Sequence, residues 1–145
     1  MSRRHRRVDS AEELSAALYE HAAGSLADTA AVNLVVAHDV WLRRRDFQEE
    51  FLLARYCHPT CAPTVAIRWR AAVAALGQGQ LPCSGSESNL LRIAASLAVD
   101  LPVRLRRALG NFDDRNIALI TEAITLANGT RPRHRSLSTK DDHDF

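Results

Sequence analysis

The chain has 145 residues, 46% hydrophobic and 25% charged, proportions that suit one folded domain and exclude a wholly disordered chain or a second core. No stretch reaches the roughly 18 uninterrupted apolar residues of a membrane span, and no apolar leader segment follows the basic residues 1–8, so no membrane role is expected and the cytoplasm is the expected compartment. The formal charge of +2 belongs to the ends: residues 1–8 carry four Arg, residues 130–145 carry three Arg and Lys140 against three Asp, and residues 9–129 keep 11 basic and 14 acidic side chains.

Helix signals begin at Ser10-Ala-Glu-Glu13, a capping-box spacing, followed by Leu14, Ala17 and Leu18 at helical intervals, with Gly24 as a left-handed stop. Asp28 or Thr29 is the expected cap of a second segment through His38, apolar on nearly every face and therefore expected at the centre of the fold; its β-branched residues leave a strand open, and the absence of alternation favours a helix. Trp41, Leu42, Phe47, Phe51 and Leu52 surround Arg43-Arg44-Arg45, which predicts a short turn and then a helix over about residues 44–55. Residues 56–64 hold two prolines and no helical period, and are expected to form the main internal loop.

Beyond that loop, Arg70–Leu76 is an Ala-rich helix stopped by Gly77 and Gly79. Ser84-Gly-Ser-Glu87 is a second capping box, leading into Leu90, Leu91, Ala94 and Leu97 at spacings of three and four. Pro102 suits the first turn of a short helix ending near Gly110, and Asp113 caps a last helix whose Ile117, Ile120, Ile124 and Leu126 form an apolar stripe before Gly129. The expected fold is therefore all-α, a compact bundle of about six short helices over residues 9–129, with a basic tail at 1–8, a second tail at 130–145, and both charged termini disordered.

The segments Trp41–Phe47, Leu81–Ala98, Leu101–Leu109 and Asp113–Asn116 resemble a recurrent group of small, uncharacterised actinobacterial proteins. The resemblance covers about residues 28–129. It implies a helical architecture, with glycine expected near Asp39 and an acidic residue near Arg68, and carries no activity, cofactor or site residue.

Among chemistry-bearing residues, Cys57, His58 and Cys61 place two thiols and an imidazole within five positions, ligands that Zn²⁺ prefers. A structural zinc site needs four ligands, and Cys83 with the scattered histidines supplies no second pair, so reduced thiols and no cofactor are expected. Ser84 and Ser86 fit helix capping better than nucleophilic catalysis. Asp113-Asp114 and Asp46-Glu49-Glu50 sit near helix starts, where carboxylates complement the macrodipole. Gly77-Gln-Gly79 lacks the Lys-Ser/Thr of a phosphate loop.

Arg3, Arg4, Arg6 and Arg7, with Arg43, Arg44 and Arg45, are the candidate phosphate contacts, and Trp41 beside the second run could stack on a base. Arg104, Arg106 and Arg107 form another internal basic cluster. The acidic balance of residues 9–129 weighs against a nucleic-acid-binding body, and the short helix at 102–109 has no polar base-reading face. The expected function is a non-catalytic protein-interaction or regulatory module. An accessory nucleic-acid binder acting through arginine-rich tails is the alternative, and an apolar face left over after folding would permit self-association.

Overall fold

The computed structural model describes residues 10–56 and 63–129. Seven α-helices and one two-stranded sheet occur among them: α1 (Ala11–Ala22), α2 (Leu26–His38), α3 (Arg45–Phe51), β1 (Leu52–Arg55), β2 (Thr64–Ile67), α4 (Trp69–Gly77), α5 (Gly85–Val99), α6 (Leu105–Ala108) and α7 (Asp114–Ala127). Single 3₁₀ turns lie at Trp41–Arg43 and Leu109–Asn111. The fold is mostly α, as expected.

Local chemistry explains most helix boundaries. Ser10 Oγ accepts from the Glu13 N–H, and Gly24 at φ +95° turns the chain out of α1. The cap of α2 is Ser25, not Asp28 or Thr29: its hydroxyl accepts from the Asp28 N–H at 3.2 Å, while Thr29 bonds back to the carbonyls of Ser25 and Ala22. The left-handed Gly24 delivers the chain directly to Ser25, so α2 opens earlier than the onset of its apolar run. At α5 the capping box is complete, with Ser84 Oγ accepting from the Glu87 N–H and Glu87 Oε1 accepting from the Ser84 N–H, each at 3.2 Å. Asp113 caps α7 by accepting from the Asn116 N–H at 2.8 Å.

The helix expected over 44–55 ends at Phe51. From Leu52 the chain becomes extended and pairs antiparallel with β2, Leu52 opposite Ile67 and Arg55 opposite Thr64. The Arg68 N–H closes the open end of the pair on the Phe51 carbonyl at 2.7 Å. Val65 and Ile67 are buried and alternate with less buried Thr64 and Ala66, which is the two-residue period of a half-buried strand. A second revision concerns Pro102, which lies in a segment without regular structure; α6 starts at Leu105. Proline disfavours helical geometry in the residue before it, and Asp100, left-handed at φ +59°, has already turned the chain.

Around α2 pack α1, α5 and α7, which accounts for its apolar residues on every side. The Arg115 guanidinium reaches the Ala37 carbonyl at 3.3 Å, and Gly129 lies against Leu26 at the other end, so α7 runs antiparallel to α2. Tyr19 of α1 donates to Asn33 Oδ1 of α2 at 2.8 Å. Near the far end of α2, the rings of Trp41, Phe47 and Phe51 pack in succession, tilted at 48° and 43° with centroids 5.5 Å apart at each step. Leu18, Leu34, Val35, Leu90 and Leu91 complete the core. No helix among the described residues is long and apolar enough to cross a membrane.

Candidate functional site

The arginine triplet is tied to the chain's own carboxylates. Asp39 ends α2 in a left-handed conformation, which brings its carboxylate to Arg43 Nη2 at 2.6 Å. Arg44 grips both oxygens of Asp46, donates to the Pro82 carbonyl at 2.7 Å, and lies 4.9 Å from the centre of the Trp41 ring. Arg45 faces Glu49 at 3.8 Å, one helical turn away. The bonds to Arg43 and Arg44 hold the carboxyls of Asp39 and Asp46 below their ordinary values. Three positive charges thus have three negative neighbours, which cancels much of their attraction for a phosphate.

Trp41 is fully buried and cannot offer a face to a base. Its indole N–H donates to the Glu87 carbonyl at 3.1 Å. The other candidates, Arg3, Arg4, Arg6, Arg7, Cys57, His58 and Cys61, lie outside the described residues, as does most of the loop expected over residues 56–64. Within the described residues no group of three or more His, Cys, Asp or Glu side chains could hold a metal ion. Cys83 is exposed, and partial burial of its thiol, with the Glu87 carboxylate nearby, raises its pKa above the ordinary value. A raised pKa keeps the less reactive thiol form.

Sequence reasoning did not single out His38, at the meeting point of α2, α5 and the start of α7. It is buried, and its Nδ1 has no hydrogen-bond partner. Burial lowers its pKa; Arg115 acts in the same direction, while Glu87, Asp113 and Asp39 oppose it. Hence the neutral imidazole is the favoured form. No hydroxyl or thiol among the described residues is hydrogen-bonded to it, so it lacks the partner that a nucleophile–base pair requires. A cleft of about 310 Å³ lies between α1, α2, β2 and the end of α5, lined by Leu18, Val32, Val65, Trp69 and Val99, with His21 and Asp28 its only ionisable groups. One carboxylate and one imidazole on apolar walls do not make a convergent reactive centre.

The exposed sides of α6 and of α7 are different. The expected stripe of α7 divides: Ile120 is buried with Ala123, whereas Ile117 and Ile124 are 39% and 55% exposed. Seven residues apart on a 3.6-residue helix, these two stand nearly one above the other on the same side of Ile120. Leu105 and Leu109 are 58% and 40% exposed and lie four residues apart, so they too share a side. Between them Ala108 is buried and anchors α6 to the body. Thr121 Oγ1 bonds back to the Ile117 carbonyl at 2.8 Å, which occupies the hydroxyl donor of the residue between the two exposed isoleucines. Arg104, Arg106 and Arg107 are exposed and form no ion pair among the described residues, and the same holds for Asp114.

No protein-family model matches the chain, and neither the curated proteins nor the solved structures contain a match.

Proposed function

We propose that this chain is a non-catalytic helical module, interacting or regulatory in role, that binds a protein partner through the exposed sides of α6 and α7. The supporting observation is the exposure of Leu105, Leu109, Ile117 and Ile124 on α6, the 3₁₀ turn that follows it, and α7. Large aliphatic side chains left in water gain by being covered, and four of the seven large exposed hydrophobics of the described residues fall within 105–124. The arginines beside them add a charged rim, where charge governs encounter rate and choice of partner more than affinity.

The nucleic-acid reading keeps its arginine-rich tails, which lie outside the described residues, and is favoured besides by Arg106 and Arg107 of α6, which form no ion pair among the described residues, whereas Arg43, Arg44 and Arg45 are engaged within the chain. Both readings are tested by affinity capture from nuclease-treated and untreated extract, with the full chain and an Ile117→Asp/Ile124→Asp variant whose helical content is verified by circular dichroism. Protein capture that survives nuclease and is lost in the variant agrees with the module reading. Capture of nucleic acid, unaffected by the variant and falling steeply with salt, would replace it.

A further inference from the structure

We infer that His38 is an acid-sensitive latch for α7: neutral, it lets the start of α7 close over the end of α2, and protonated, it releases that helix from the domain. The described residues bury two polar side chains, His38 and Asn116, and α7, antiparallel to α2, brings both to the same end of the pair. His38 Nδ1 is buried without a hydrogen-bond partner. In the neutral ring this nitrogen can remain a bare lone pair. The imidazolium carries hydrogen on both nitrogens, so the closed form would bury a charged donor with no acceptor among the described residues.

The charged groups that face the ring come from all three elements around it: Asp39 at the end of α2, Glu87 of α5, and Asp113 and Arg115 at the start of α7. Burial, the largest influence, and Arg115 oppose the proton, the three carboxylates favour it, and the balance lowers the pKa. Arg115 also donates to the Ala37 carbonyl at 3.3 Å, so the cation that a charged His38 would repel is the one that ties α7 to the end of α2. The hold of α7 on the rest of the domain is light. It rests on α2 with only slight contact to α5, and Ile120 is its one large apolar side chain in the buried core. Opening α7 lets water accept from Nδ1, and bares Ile120, Ala123 and the side of α2 beneath them.

Amide hydrogen exchange of the full chain by NMR at about pH 7.5 and about pH 5.5 provides the test, expressed as protection so that the intrinsic pH dependence of exchange cancels. His38→Leu and His38→Gln variants, checked for helical content, are measured beside the parent. The expected result is that the amides of Ile120 and Ala123 are less protected than that of Leu34, and that acid removes up to about tenfold of their protection in the parent and none in the variants. Protection equal to that of Leu34 at both pH values overturns the inference, since α7 then leaves only with the whole domain. So does a loss that persists in the variants, or no loss in the parent. The ring resonances of His38 in the parent judge the latch without any variant: a ring that takes up its proton while α7 stays protected overturns it.

Discussion

Trp41 and Glu87, separated by 46 positions in sequence, are joined by a 3.1 Å hydrogen bond from the indole N–H to a backbone carbonyl. The carbonyl belongs to the first turn of α5, whose start is already fixed by the capping box of Ser84. One ring therefore ties the connection after α2 to α5, while its faces contact Phe47 and Arg44. Replacing Trp41 by Phe keeps an aromatic ring but removes the donor and some volume, and is expected to cost about 2–4 kcal/mol. Ser84→Ala removes the cap alone and is expected to cost about 1 kcal/mol. Urea unfolding of the two variants beside the parent checks the order.

Stability should also fall with acid through His38. The imidazole pKa is lowered in the folded chain by burial first and Arg115 second, while the unfolded chain has the ordinary value of about 6.5. Above that pH both states are neutral at this site and it adds no pH dependence. As pH falls below it, the unfolded state takes up the proton and the folded state resists, so stability declines until the lowered folded pKa is passed. A His38→Leu variant should lose this part of the slope. Urea midpoints measured from about pH 7.5 down to about pH 5 test it; equal slopes in parent and variant would remove His38 from the account.

Asp100 ends α5 at φ +59°, a conformation that favours glycine. Asp100→Gly should relieve the left-handed strain and give back part of that gain through a freer unfolded chain, for a net rise of about 0.5 kcal/mol. Asp39, at φ +58°, is the control. Its glycine variant gives up the contact to Arg43 and should benefit less. Thermal melts of the two variants compare them.

Most helices were legible because their start and stop chemistry is local. Ser84 and Glu87, Asp113, Gly24 and Gly79 each act within a few residues of themselves, and the apolar run of α2 announces a helix with neighbours on all sides. The sheet was not legible. Leu52-Leu-Ala-Arg55 directly continues a helical segment, and only pairing with Thr64-Val-Ala-Ile67 makes it a strand. The partners of Arg43 and Arg45 could have been found from their four-residue spacing to Asp39 and Glu49. No spacing predicts that Arg44 reaches Pro82. Periodicity likewise identifies Ile117, Ile120 and Ile124 as one apolar set, but not that α2 and α5 leave two of the three exposed. His38 was read as the last residue of a helix, and its unsatisfied nitrogen emerges only once α5 and α7 close around it.

The central position of α2 makes it a reporter for the whole domain. Since α1, α5 and α7 all rest on it, its interior amides are sheltered by every long helix of the described chain. None of them can be bared by fraying at an end or by the release of one neighbour. Hydrogen exchange along the middle of α2 should therefore be governed by the opening of the entire domain, so a single amide such as that of Leu34 can serve as a clock for global unfolding.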